Sequence, residues 1–272
     1  MLKFGFVTCV QLGLSCMETL YRSGLKLDLA VTLPDNKSKT KSGRVYIDDF
    51  CNKKKIPLLK SNHVNNSDVV EAIIRNNIDW LFIIGWSQIA SKEILNSPNK
   101  GVLGMHPSLL PEGRGRASIP WAILKNLNKT GVTIFKMDSG IDTGPIVDQI
   151  EIPLNDKTTA TELYKKVNDA HCLLIKKIKK KILNKNFKAK PQNNSMASIW
   201  PGRKPEDGEI NLKGSVYDAE KLIRAVTHPY PGAFYYQNGI KHIIWSAKVI
   251  KDKEKNKNNI LQFYDGTLLI IN

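Results

Sequence analysis

Arginine is scarce in this chain: 7 of its 41 basic residues, the other 34 being lysine. Proteins that read nucleic-acid sequence rely on guanidinium forks for phosphates and base edges, so the balance argues against that class. Cysteine is limited to Cys9, Cys16, Cys51 and Cys172. No pair has C-x-x-C spacing and no His/Cys cluster has zinc spacing, which leaves no disulfide framework and no metal site to expect. Reduced, buried thiols in a cytoplasmic setting are expected instead. No apolar run approaches the roughly 18 residues of a membrane span. The longest, W-L-F-I-I-G-W over residues 80–86, has the length of a strand. The first 16 residues superficially resemble a secretory leader, but Thr8 and Gln11 interrupt the apolar part and small residues do not mark a cleavage site. A first buried strand running into a helix is expected there. Also missing are G-x-G-x-x-G after the first strand and G-x-x-x-x-G-K-[ST] anywhere, which removes most of the case for a dinucleotide dehydrogenase or a P-loop enzyme.

What is present is an ordinary globular composition: 272 residues, 42% apolar and 24% charged. That is room for one large domain or two modest ones. The formal charge is +16. Residues 176–190 hold 8 lysines and no acid, half the net charge in 15 positions. A solvated helix face explains this, and so does a weak patch for nucleic acid or an anionic membrane surface.

The pattern alternates strands and helices: strands over residues 3–10, 27–33, 56–59, 79–85 and 100–105, helices over 12–23, 46–54, 68–76 and 89–95. This predicts parallel βαβ units in an open, doubly wound, mostly parallel α/β sheet, whose ligands bind beyond the carboxyl ends of the strands. A polar loop lies over 36–44. Further along come a helix over 117–127, strands over 131–138 and 145–152, and a long helix opened by the capping box Thr159 to Glu162. Its stripe of Leu163, Val167, Ala170, Leu174 and Ile178 reads as core. Residues 184–205 read as a linker. A helix over 216–226 and strands over 233–237, 241–249 and 260–271, the last two separated by a Lys-rich loop over 251–259, make a small β-rich C-terminal domain. The expected division is therefore 1–185, a linker over 186–205, and 206–272.

Two segments carry the chemistry: G-M-H-P-S-L-L-P-E-G-R-G-R-A-S-I-P-W over 104–121, and T-G-V-T-I-F-K-M-D-S-G-I-D-T-G-P-I-V-D-Q over 130–149. His106 ends a buried strand and enters a loop stiffened by Pro107 and Pro111. Asp142 stands between Gly140 and Gly144 in a loop joining two strands. A His made more basic by a carboxylate is a general acid/base pair. From spacing alone, a structural histidine remains the alternative.

These segments resemble the signatures of the formyltransferases that use 10-formyltetrahydrofolate, the superfamily of methionyl-tRNA formyltransferase, glycinamide ribonucleotide transformylase and the sugar N-formyltransferases. P-E-D-G-E-I over 205–210, L-I-R-A-V-T-H-P-Y-P-G-A-F over 222–234 and I-W-S-A-K over 244–248 extend the likeness to the second domain of the tRNA and sugar enzymes. The resemblance implies a one-carbon group transferase with no metal, in which a substrate amine attacks the formyl carbon of 10-formyltetrahydrofolate and His106 and Asp142 manage the proton and the oxyanion. It implies a folate site on Trp86, Ser87, Gln88 and Ile89 after the fourth strand and on Met137, Asp138 and Gly140 before Asp142. It also implies contacts to the acceptor from Ser108, Arg114 and Arg116, although the two arginines can equally buttress their loop. The family's Asn two residues before the His is here Gly104, which has no side-chain donor; backbone N–H, Ser108, Gln88 or water is expected to substitute, or catalysis is weakened. The short chain and small tail domain look like the sugar enzymes. The acceptor implied is then an amino sugar on a nucleoside diphosphate, a cell-surface glycan precursor of the kind used in lipopolysaccharide biosynthesis. Lys37, Lys39, Lys41 and Arg44 in the loop after the second strand can neutralise a diphosphate, or form a plain flexible loop. Formylation of methionyl-tRNA, favoured by the +16 charge, and a catalytically weakened folate-binding relative are the alternatives. No membrane partner is expected, and a homodimer stays open.

Overall fold

A computed structural model describes residues 1–40, 44–183, 187–250 and 259–271. The chain forms two compact units, one of Met1–Gly115, Gly131–Ile152 and Val167–Ile199, the other of Arg116–Thr130, Pro153–Lys166 and Trp200–Asn272.

The elements run β1 (Phe4–Val7), α1 (Gln11–Arg22), β2 (Leu29–Thr32), α2 (Asp48–Lys54), β3 (Leu58–Lys60), α3 (Ser67–Arg75), β4 (Trp80–Ile83), α4 (Lys92–Asn96), β5 (Gly101–His106), β6 (Arg114–Gly115), α5 (Ser118–Leu124), β7 (Lys129–Lys136), β8 (Ile146–Pro153), α6 (Ala160–Leu183) and β9 (Ile199–Trp200). Seven strands form one sheet in the order β3-β2-β1-β4-β5-β7-β8. The first five of these are mutually parallel, and β7 runs antiparallel to β5 with Thr133 opposite His106. This is the doubly wound, mostly parallel sheet that the alternating pattern predicts. The order reverses between β1 and β4, beside which β5 ends, and ligands of open α/β sheets bind beyond the carboxyl ends of strands near such a reversal.

Strands β1, β2, β4 and β5 are buried along their whole length, which is why they read as unbroken apolar runs. Alternation along each strand sorts the side chains to two faces. Val7, Val31, Leu81, Ile83 and Val102 pack with Val69, Val70 and Ile73 of α3 and Ile94 of α4. Phe4, Phe6 and Phe82 stack on the opposite face, Phe82 with ring centroids 6.4 and 5.7 Å from the other two. Helix α6 reaches α1 through the Cys172 thiol, which donates to the Ser15 carbonyl (3.6 Å). All four thiols are free, but Cys172 is only half-buried, so the expectation of buried thiols fails there. A hydrogen bond from Cys16 draws the Cys172 thiol down to about 6.

Several boundaries differ from the sequence reading. The helix expected over 89–95 starts at Lys92, because residues 86–91 are tied to the turn over 62–65; Ser91 caps it, accepting from the Ile94 N–H at 3.4 Å. Residues Asp35–Thr40 form a 3-10 turn where a plain loop is expected. Arg44 donates to the carbonyls of Cys9, Leu33 and Val45 and to Thr32 Oγ1, so its guanidinium ties strand ends together. Lys37 is exposed, and the side chains of Lys39 and Lys41 lie outside the described residues. Part of the segment read as a linker is built into the first unit. Lys190 and Ile146 exchange two backbone hydrogen bonds of 2.8 Å, and the Arg114 N–H donates to the Ser198 carbonyl (2.9 Å) where β6 meets β9. Residues 184–186 of that segment, within the Lys-rich stretch, lie outside the described residues.

The second unit holds α5, α7 (Val216–Val226), the hairpin β10 (Ala233–Gln237) and β11 (Ile240–Ile244), and a sheet of β12 (Ala247–Ile250), β13 (Ile260–Phe263) and β14 (Gly266–Ile270) in the order β12-β14-β13. Ser215 caps α7, accepting from the Tyr217 N–H at 3.2 Å. The strand expected over 241–249 breaks at 245–246, where Trp245 stacks on His228 with centroids 3.9 Å apart. The strand expected over 260–271 is a hairpin turning at 264–265. The Lys-rich loop lies outside the described residues except at Asn259.

Candidate active site

His106 is the last residue of β5 and is 7% exposed. Its Nε2 lies 2.7 Å from the Gly113 carbonyl, which can only accept, so Nε2 carries the hydrogen. Nδ1 then faces Asp142, whose Oδ2 is 3.5 Å away. The same Oδ2 accepts the Gly115 N–H at 2.9 Å. A proton on Nδ1 sits between ring and carboxylate, so the two side chains can hold and release one proton between them.

The loop after β5 is fixed from below by β7 and β8. Thr133 Oγ1 donates to the Ser108 carbonyl (2.7 Å) and accepts from the Leu110 N–H (3.1 Å) and Gln149 Nε2 (2.8 Å). Gln149 Nε2 also donates to the Leu110 carbonyl (2.9 Å). Ser108, 1% exposed, spends its hydroxyl proton on the Glu112 carbonyl at 2.7 Å. Ser198 Oγ accepts the Gly113 N–H at 2.9 Å, steadying the carbonyl that holds His106.

The turn bearing Asp142 is equally constrained. Asp138 Oδ1 accepts from the Gly140 N–H (3.1 Å) and from Thr143 Oγ1 (2.6 Å). Asp142 itself has φ of 54°, a left-handed conformation that costs a non-glycine residue of order 1 kcal/mol. A Cβ at Gly144 would lie 1.8 Å from the Lys136 carbonyl oxygen, so only glycine fits this close approach.

Of the other residues singled out in the sequence, Trp86 and Met137 both pack against the core beneath α3 and α4. Trp86 Nε1 donates to Gln88 Oε1 (3.1 Å), which also accepts the Val64 N–H (2.9 Å), and Gln88 Nε2 donates to the Asn62 carbonyl (2.9 Å). Ser87 lies between them, and Ile89 is 62% exposed. A groove of about 510 Å³ is lined by Lys92, Asn96, Val102, Lys136, Met137 and Asp138 among others. His106 and Asp142 do not line it. Arg114 is 6% exposed and donates to Gln192 and Asn194, so it buttresses the site and does not face an acceptor. Arg116 belongs to the second unit, where its exposed side chain lies along Gly202.

Gly104 occupies ordinary strand conformation in β5, opposite Ile83 and Phe135. A Cβ there would lie 3.0 Å from Met137 Cγ and from Phe135 Cζ. Neither of the side chains expected to replace the family's Asn is at liberty, since Ser108 is bound to Glu112 and Gln88 is engaged at both its oxygen and its nitrogen. Gln192 and Ser198 escape sequence reading altogether, while Thr133 and Gln149 fall inside the 130–149 segment without a role being legible there; in each case the partner is set by the fold.

The formyl transferase family model matches residues 23–178, and that of the formyl transferase C-terminal domain matches residues 203–272. The chain belongs to the formyl transferase family. This formyl transferase is 30% identical over 270 residues to methionyl-tRNA formyltransferase of Acetivibrio thermocellus, covering 98% of this chain and 85% of that one. It is 32% identical over 252 residues to the bifunctional polymyxin resistance protein ArnA of Wigglesworthia glossinidia brevipalpis, covering 93% of this chain but only 38% of that protein. Its fold resembles that of the N-formyltransferase from Helicobacter canadensis, solved with folinic acid and dTDP-3-aminofucose, with a TM-score of 0.74, 21% identity and 99% of both chains covered. Among the described residues no helix is long and apolar enough to cross a membrane, and no three His, Cys, Asp or Glu residues are grouped to hold a metal.

Proposed function

We propose that this formyl transferase moves the formyl group of 10-formyltetrahydrofolate to the amine of a nucleotide-linked amino sugar. The observation that carries the reading is the His106–Asp142 pair, 3.5 Å apart at the end of β5, in a chain that matches the nucleotide-sugar-bound N-formyltransferase of Helicobacter canadensis from end to end. We assign the folate to the 86–89 loop after β4 and to the turn over Met137–Gly140; the groove beside Val102 and Lys136 lies at the amino end of β5 and is not lined by residues 86–89. When bound, the folate supplies an activated formyl carbon. As the acceptor nitrogen bonds to that carbon and the carbon–N10 bond breaks, one proton must leave the amine and one must reach N10. Asp142 holds His106 so that Nδ1 can take the first and return the second. Ser108, Arg114 and Gly140 act by shaping the loop and the turn. In this reading residues 1–185 carry the transfer chemistry and 206–272 form the further domain, with the described part of the expected linker up to Ile199 built into the first unit. The reaction is placed in the cytoplasm.

The second reading is formylation of methionyl-tRNA, favoured by the 30% identity to methionyl-tRNA formyltransferase across 98% of the chain and by the +16 charge. The deciding experiment incubates the protein and 10-formyltetrahydrofolate with a panel of nucleotide-linked amino sugars and, separately, with charged initiator tRNA. Turnover of one amino sugar above tRNA is expected. Faster formylation of tRNA than of every amino sugar would transfer the conclusion to the second reading. Folate binding without turnover on either would indicate a weakened binding relative.

A further inference from the structure

Gln192 stands outside every motif, 50 residues downstream of Asp142. Its Nε2 donates to the carbonyls of Asp142 and Gly144, each at 2.8 Å. It thereby grips the turn on both sides of Thr143. Its Oε1 accepts from Arg114 Nε (3.1 Å) and Nη2 (2.7 Å), and Arg114 is anchored in turn on Asn194 Oδ1 (2.8 Å).

A guanidinium has donors only, so it fixes the amide with oxygen towards itself and turns both hydrogens of Nε2 towards the two carbonyls. The opposite orientation would set an NH2 against a guanidinium and an oxygen against two oxygens. Held this way, the turn keeps Asp142 at its left-handed φ of 54°, the conformation in which Oδ2 meets both Gly115 N–H and His106 Nδ1.

We propose that Gln192 is a positioning residue that keeps the Asp142 carboxylate against His106, with Arg114 setting the direction of its amide. The inference rests on the formyl-transfer reading of the His106–Asp142 pair for its kinetic consequence, though its structural consequence is independent of any substrate.

Gln192→Glu preserves size and the contact to Arg114, removes both donations and opposes an oxygen to two carbonyls. The first measurement needs no acceptor: hydrogen exchange of the Gly115 amide, which donates to Asp142 Oδ2. Exchange roughly tenfold faster or more is expected, with β1 and β4 unchanged. The second is kinetic. Gln192→Glu is expected to lower kcat roughly 10- to 100-fold while KM for folate and acceptor stays within about threefold. In an Asp142→Ala background the same change is expected to cost less than about threefold, because its route is already gone. Gln192→Ala reads the same quantities if the glutamate does not fold. Unaltered Gly115 exchange in a folded variant, or losses that multiply fully in the double variant, would overturn the proposal. A wild-type protein that formylates no acceptor would sink the functional reading, while Gly115 exchange still decides whether Gln192 holds Asp142.

Discussion

At His106 the two ring nitrogens have different work: Nε2 is held by Gly113, and Nδ1 faces Asp142. His106→Asn and Asp142→Asn are each expected to lower turnover by roughly two to four orders of magnitude, as for loss of a general acid/base. Near wild-type kcat in either purified, folded variant would remove that residue from the chemistry. Gly104 gives a second residue-level test. The developing negative charge on the formyl oxygen calls for a donor, and one such donor typically contributes about 3 kcal/mol. An Asn at 104 must first displace Met137, on the turn assigned to folate, or Phe135. Gly104→Asn is therefore expected to lower turnover severalfold; a tenfold rise would reveal a site that lacks its donor. A third test concerns His171, fully buried on α6, which donates from Nδ1 to the Val167 carbonyl (2.8 Å). Burial, with a smaller contribution from the charge on His106, pushes it down to about 4. The unfolded chain takes up this proton near 6.5 and the folded one only near 4, so the stability is full above about 6.5 and drains away as pH falls to 4. The loss is on the order of 3 kcal/mol. Urea midpoints measured across this window should fall in the wild type and flatten in His171→Met; parallel curves would refute the assignment. Among single residues, the meeting of His106 and Asp142 was legible because both lie in dense motifs. The work of Ser108 and Arg114 was not, because a hydroxyl or guanidinium in a loop can face inward or outward, and only the partner decides.

Among elements, the turn between β7 and β8 carries most of the constraint. Its tightest point is Gly144, where the obstacle to any side chain is the backbone carbonyl of Lys136, which has nowhere to rotate. Gly144→Ala is expected to cost about 2–4 kcal/mol of stability or to displace the turn, with kcat falling alongside. A urea midpoint and kcat both within error of wild type would contradict this. The central strands and α1, α3, α6 and α7 were legible from periodicity, because buried strands are continuous apolar runs and each helix buries one stripe. Strands β6 and β9 were not, since two residues have no period; they exist because Arg114 and Ser198 are brought side by side. The broken strand at 245–246 hid for a similar reason. Ile244 and Ala247 continue the apolar pattern, and only the stacking of Trp245 on His228 shows that the chain turns there.

At the scale of the whole molecule, the +16 charge separates the two acceptor classes. A nucleoside diphosphate presents few charges, so binding is expected to change only modestly with salt. Counterion release from many tRNA phosphates would instead give a steep logarithmic dependence. Measuring acceptor affinity between 50 and 200 mM salt, concentrations spanning the usual range of that effect, discriminates them. Neutralising the lysines between residues 176 and 190 should alter solubility more than kcat. A parallel collapse of acceptor binding would assign them a partner. The antiparallel setting of β7 carries a thermodynamic corollary. The turn leaves β7 where the Met137 N–H donates to the Val102 carbonyl (2.9 Å), four residues ahead of His106 on β5. Met137 and Asp138 at its start wall the groove, and Asp142 further along touches His106. One short segment thus serves two neighbours. Whatever fills the groove and prefers one posture of the turn biases the proton-holding pair, and by reciprocity protonation of the pair changes the occupant's affinity by the same factor.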